Sequence, residues 1–230
     1  AVRTRNIHFY PMSIVPTAGD PIRIAESIAL LDQLTKGRVG ATFARGYQKR
    51  WIQILSQGGS TSLVDADSDV RNREVYNEHI DVILKAWTQD SWDHDGQHYQ
   101  VPFPYGEGIK GFGGVDWTRD FGSEDEVDAD GVIRKIGVTP PPYQRPYPPI
   151  WVPYTVSPAS MIAAAKRGFT CIATESRPES FRAHAQAYQA AAKEQGRDLK
   201  LGELFGATRS VCIGETREEA FEMAVRTAAY

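Results

Sequence analysis

Segments with strand-like and helix-like patterning alternate along this chain, and no other feature constrains its fold as strongly. An apolar, β-rich run from Ile7 to Val15 comes first. Asp20 then suits a helix N-cap, Pro21 suits a first helical residue, and Ile24, Ile28 and Leu31 recur at helical spacing until Lys36-Gly37. Val39 to Ala44 reads as a short strand that ends in Arg45-Gly46. Residues 52–70 are polar and read as a loop, and Tyr76, Ile80, Ile83, Leu84 and Trp87 mark one face of a helix from about Arg71. Further on, Ile150–Tyr154 reads as a strand, and Ser157-Pro158 opens a helix that stops at Gly168. Phe169–Ala173 is another strand, Pro178 starts a helix carrying Phe181, Ala185 and Tyr188, and Phe205–Ile213 is strand-like. Thr216-Arg-Glu-Glu219 forms a capping box before a last helix. Strands that alternate with helices imply parallel βαβ units, hence a doubly wound sheet or a βα-barrel.

The alternation breaks once, between Asp90 and Pro149. That stretch opens with a turn at Asp93-His-Asp-Gly96 and a short strand His98–Val101, becomes rich in glycine and acidic residues, and closes in prolines. So long an irregular segment within a compact domain marks a lid or an insertion. We therefore expect a single domain over 1–230 with an insertion at 90–149. The chain also enters its first apolar run with almost no lead-in, so we expect further residues upstream.

Charge and composition narrow the function. With 26 Lys+Arg against 29 Asp+Glu, the net charge of -3 lacks the basic excess of a nucleic-acid surface. No apolar run reaches membrane-spanning length and the first residues do not form a secretory signal, so no membrane association and a cytoplasmic address are expected. Cys171 and Cys212 have no metal-ligand spacing and read as reduced thiols.

Several motifs lose their meaning in context. Gly106-Glu-Gly108-Ile-Lys-Gly111 spells the dinucleotide fingerprint but lacks the preceding strand and following helix that give it function. Asp65, Asp67 and Asp69 have calcium-loop spacing, yet Val70 replaces the required glycine and Tyr76 the bidentate glutamate. His94 and His98 lie on a turn and an emerging strand with no third spaced ligand, so no metal is expected. The acidic run Glu124–Asp130 reads as a solvated face.

Two features remain. Arg45 follows one strand, and Tyr154-Thr155-Val156-Ser157-Pro158 joins another strand to a helix start. Parallel α/β folds place their sites at the carboxyl ends of strands, where both features fall. A helix N-terminus, the hydroxyls of Thr155 and Ser157, and the planar donor fork of Arg45 together suit a phosphate. The other reading is that Ser157 only caps its helix and Arg45 only pairs with a carboxylate.

At these residues the sequence resembles the bacterial-luciferase-like flavin monooxygenases. The most specific stretch is Asp20-Pro-Ile-Arg-Ile-Ala-Glu26 through Leu31-Asp32 and Lys36-Gly-Arg38 to Ala44-Arg-Gly46. The layout of Gly96-Gln-His-Tyr99, a proline-rich stretch, Pro148-Pro-Ile-Trp-Val152 and Ser157-Pro158 is also similar to that family. The resemblance implies a TIM-type (β/α)8 barrel whose first strands and final turn lie outside this chain. It places Arg45, Tyr154, Thr155 and Ser157 around the flavin phosphate, Met12 and Ser13 beside the ring, and Thr174 and Glu175 on a second wall. Ala44 stands where some luciferases carry a reactive cysteine, and the histidine that luciferases use near the flavin is expected before residue 1, with the first strands.

The activity implied is that of a monooxygenase, in which reduced FMN from a separate flavin reductase, together with O2, oxygenates a small apolar organic substrate. A deazaflavin passing a hydride is the alternative cofactor chemistry, and a shortened, non-catalytic flavin binder is the alternative class. Homo-oligomers are expected. The aromatic residues Trp92, Tyr99, Phe103, Tyr105, Phe112, Trp117 and Phe121 are candidates to cover the substrate.

Overall fold

The computed structural model describes residues 3–46, 54–55, 66–154, 158–174, 177–209 and 211–227. They form two compact units, Ala1–Trp151 and Val152–Tyr230.

In the first unit, helix α1 (Pro21–Thr35) has the boundaries its sequence dictates. The Asp20 carboxylate accepts the Arg23 amide at 2.9 Å, and Lys36 takes the left-handed cap conformation (φ 54°) that returns the chain toward the next strand. Strand β1 (Ala41–Thr42) pairs in parallel with the start of β4 (Ile150–Tyr154), Ala41 opposite Ile150 and Thr42 opposite Trp151. On its other side the expected Ile7–Val15 strand is reduced to two parallel bridges, Phe9 to Val39 and Ile14 to Phe43. Pro11 lies between them and has no N–H to offer a ladder.

Helix α2 (Ala66–Thr88) begins five residues earlier than the sequence pattern suggests. Asp69 sits in its first turn, where the helix end favours a negative charge, so polar residues that read as loop are helical. The predicted face is buried at Tyr76, Ile80, Ile83 and Trp87, the helix packs on α1, and the Trp87 ring stacks 6.3 Å from Phe43, whose carbonyl accepts the Tyr76 hydroxyl. Leu84 is half-buried.

The 90–149 stretch holds more order than its sequence suggests. Strands β2 (His94–Asp95) and β3 (Gln100–Val101) form an antiparallel hairpin. Its turn therefore falls at 96–99, where Gly96 donates to Tyr99, and not at 93–96. A short helix α3 (Val115–Phe121) follows, with none of its residues buried, which is why no apolar period announces it. Trp92 is buried and bridges Ile136, so it belongs to the core and cannot cover a substrate. Gln144 ties the end of the stretch to fully buried Asp32, giving both its main-chain and its side-chain amide to that carboxylate at 2.8 Å.

The second unit begins within β4, and β4, β5 (Thr170–Ala173) and β6 (Phe205–Ala207) are neighbours in that order, with β5 and β6 parallel. Helices α4 (Pro158–Arg167) and α5 (Pro178–Lys193) supply the crossovers that parallel strands need. Met161, Ala165, Cys171, Tyr188 and Phe205 form the core, and burial pushes the Cys171 thiol up to about 12, so it stays protonated. The strand expected over 205–213 stops at Ala207, because its partner β5 ends at Ala173; Val211 and Ile213 are exposed. The last helix, α6 (Arg217–Thr227), has Thr216 capping the Glu219 amide at 3.2 Å, while Glu219 reaches back to the amide of Glu215. Parallel strands joined by helices make this an α/β fold.

Candidate functional site

Arg45 stands three residues beyond the end of β1, and the structure fixes both its ends. Its carbonyl accepts hydrogen bonds from Thr17 Oγ1 and Asn72 Nδ2, each at 3.2 Å. Its guanidinium, with the side chain 14% exposed, donates through NH1 to Asp69 Oδ1 at 2.8 Å. Arg73 NH2 holds the other oxygen of the same carboxylate at 3.0 Å. Burial pulls the Asp69 pKa up, but the hydrogen bonds and charges of Arg73 and Arg45 outweigh it and hold the carboxyl below its ordinary range.

Two guanidinium groups against one carboxylate leave this cluster with a single positive charge. The pairing with a carboxylate that the sequence allowed for Arg45 is thus real, and Arg73 shares that carboxylate. Sequence reading meets Asp69 only as part of a calcium-loop spacing and gives Asn72 and Arg73 no role; with α2 spanning Ala66–Thr88, their i, i+3, i+4 spacing puts all three on one face.

Met12 and Ser13 are exposed and precede Ile14, which exchanges main-chain bonds with Thr42 and Ala44. They therefore share the carboxyl-end edge of the first unit's strands with Arg45. The Met12–Ser13 peptide is cis. In the second unit Tyr154 closes β4 and exposed Thr174 follows β5, both at strand carboxyl ends. Thr155, Ser157 and Glu175 lie outside the described residues.

A second polar cluster joins α2 to the hairpin. Glu78 accepts the amides of His98 and Tyr99, at 3.1 and 2.9 Å, and contacts His94 Nε2 at 3.2 Å, while His98 Nε2 lies 3.3 Å from Glu74. Tyr99 donates to Asp20 Oδ2 at 2.6 Å, and its pKa is raised by burial and by that bond. Both histidines thus meet α2 carboxylates, and these contacts tie the hairpin to the helix. Tyr105 donates to Asp93 at 2.7 Å, and of the seven aromatic candidates Phe103, Phe112, Trp117 and Phe121 are exposed.

The family model for luciferase-like monooxygenases matches residues 1–109 and 115–230. The chain belongs to the luciferase-like monooxygenase family. The residues skipped by the match, 110–114, lie just before α3, so the family likeness includes β1, α2, the hairpin and β4 to α6. Among curated family relatives, 3,6-diketocamphane 1,6-monooxygenase of Pseudomonas putida is 24% identical over 204 residues, covering 85% of this chain and 48% of the relative. The chain thus spans about half the length of that relative.

Among solved luciferase-like structures, a type II Baeyer–Villiger monooxygenase, the oxygenating constituent of 3,6-diketocamphane monooxygenase from Pseudomonas putida, in complex with FMN, superimposes with a TM-score of 0.72 at 19% identity. The match covers 98% of this chain and 54% of that one. The coenzyme F420-dependent tetrahydromethanopterin reductase of Methanopyrus kandleri gives a TM-score of 0.63 at 16% identity, covering 96% of this chain and 55% of that one. At these identities the likeness establishes the fold. No described helix is long and apolar enough to cross a membrane.

Proposed function

We propose that this protein is a flavin-dependent monooxygenase that uses reduced FMN and O2 to oxygenate a small apolar organic compound, as part of a TIM-type barrel. The observation that carries the reading is the Arg45–Asp69–Arg73 cluster, which sits at a strand carboxyl end and keeps one positive charge in a chain of this family. A flavin phosphate fits such a group. The relative named for a diketone makes cyclic ketones the first substrates to test.

FMN, when bound, supplies the redox chemistry, and the protein binds, orients and excludes water. Arg45 holds the phosphate with charge-assisted hydrogen bonds. On the strength of the sequence resemblance, Tyr154, Thr155 and Ser157 are assigned to the phosphate as well, Met12 and Ser13 to the ring, and Thr174 and Glu175 to a further wall. Phe103, Phe112, Trp117 and Phe121 offer apolar surface for the substrate. The reduced flavin comes from a separate reductase, and the enzyme works in the cytoplasm as a homo-oligomer.

The test combines cofactor titration with turnover. The protein is titrated with FMN and with coenzyme F420, and then mixed with FMN, NADH, a flavin reductase and a panel of cyclic ketones under 18O2. Tighter binding of FMN and label in the product are expected. Preference for the deazaflavin, with anaerobic hydride transfer to or from it, would replace this reading, and binding without any turnover would leave a non-catalytic flavin carrier.

A further inference from the structure

We infer that Asp69 is a positioning residue for the phosphate-binding arginine, acting through a carboxylate that Arg45 and Arg73 share. The inference rests on the flavin reading above and deepens it. Three residues of one α2 face converge on Arg45: Asp69 on its guanidinium, Asn72 on its carbonyl, and Arg73 on the far oxygen of Asp69. A long, many-rotamer side chain is thereby fixed before any ligand arrives, which removes part of the ordering cost that binding would otherwise incur.

The second arginine is what makes this arrangement compatible with an anion. Asp69 alone would neutralise Arg45 and repel a phosphate. With Arg73 on its other oxygen, the carboxylate is balanced and the group as a whole keeps its positive charge. Asn72 fixes the other end of the same arginine, its Nδ2 donating to the Arg45 carbonyl at 3.2 Å. Asn72 is 2% exposed, so this clamp on the Arg45 main chain is itself held within the packed interior.

The experiment compares FMN with riboflavin, which has the same ring and no phosphate, by flavin-fluorescence titration of the parent, Arg45→Ala, Asp69→Ala, Asp69→Asn, Arg73→Gln and the Arg45→Ala/Asp69→Ala double variant. Circular dichroism melts select the variants that fold. The parent is expected to favour FMN, and Arg45→Ala to weaken FMN by about ten- to a hundredfold, the size of a lost charged hydrogen bond. Asp69→Ala is expected to weaken FMN by about tenfold through lost preorganisation, with riboflavin unchanged. Arg73→Gln weakens FMN and flattens its salt dependence.

In the Arg45→Ala background, Asp69→Ala has nothing left to position and changes FMN affinity no further. Tighter FMN binding by Asp69→Ala or Asp69→Asn would show that the carboxylate opposes the ligand, and equal losses for the two flavins, or additive losses in the double variant, would show a merely structural role. Each of these overturns the inference. A parent that does not discriminate between the flavins removes the phosphate reading itself, whereas discrimination that survives Asp69→Ala intact removes only the positioning role.

Discussion

The indole Nε1–H of Trp87 donates to the main-chain oxygen of Ala25 at 3.0 Å, and so the longest described helix is bonded side chain to backbone onto its neighbour. Trp87 is 1% exposed and Ala25 is fully buried. A small residue on α1 lets the indole reach the helix backbone. Trp87→Phe removes the donor and part of the ring, and should cost about 1–3 kcal/mol from the lost hydrogen bond and the unfilled volume together. Urea denaturation read by circular dichroism checks this; a midpoint equal to the parent's would mean that the bond contributes nothing net.

A pH dependence follows from His79. It is buried, its Nδ1 lies 2.8 Å from the Pro16 carbonyl, and its ring meets Tyr99 edge-on. Burial lowers its pKa, outweighing the Pro16 bond and the nearby Glu78 and Asp20 carboxylates, which act in the opposite direction. The folded protein thus binds this proton less readily than the unfolded chain. The stabilisation is complete above the unfolded value of about 6.5 and is lost as pH falls from there through the folded value, at up to about 1.4 kcal/mol per pH unit. His79→Gln, which keeps a donor but does not titrate, should flatten the stability profile below pH 6.5. An unchanged slope would assign the acid sensitivity to other groups.

What the sequence disclosed and what it hid have physical causes. The limits of α1, the buried face of α2 and the starts of α4 and α5 were legible because N-caps, prolines, glycines and a 3.6-residue apolar period act locally. The start of α2 was not, since Asp69 is held by partners 24 residues back and four ahead, and only their meeting makes a helical turn from loop-like residues. Strand lengths were overstated at Ile7–Val15 and Phe205–Ile213, because a strand lasts only as long as its partner does. Arg45 could be found from its place after a strand. Its companions could not, because their contacts are tertiary.

Glu78 anchors the hairpin by accepting two of its amides, a job that no apolar side chain can do. Glu78→Ala leaves the His98 and Tyr99 amides and the His94 ring without their acceptor, and should cost about 1–3 kcal/mol locally. The β2–β3 amides should then exchange with solvent much faster, while those of α4 and α5 keep their protection. Uniform loosening of both units would instead make Glu78 a global determinant of folding.

On the proposed function, the segment 103–135 would serve as a cover over substrate. Phe103, Trp117 and Phe121 are 76%, 67% and 72% exposed, and the rings of Trp117 and Phe121 lie 5.6 Å apart, forming an apolar surface that water now wets. Its backbone is pinned at identifiable points. Ile109 and Ile133 exchange a pair of main-chain bonds, Arg119 reaches the carbonyls of Asp128 and Ala129, and the Asp128 carboxylate gathers the amides of Asp130 and Val132 with Arg134. Between Ile109 and α3 such pins are sparse, and Gly111 takes a left-handed φ of 73° that other residues rarely adopt. Loops of this kind open at low free energy and close when a ligand offers apolar contact. Without ligand, the amides of Ile109 and Ile133 should be protected while those of 110–125 exchange fast; with FMN and a ketone substrate the latter should slow. Exchange at 110–125 that stays the same when protection appears elsewhere would mean that these aromatics serve a different surface.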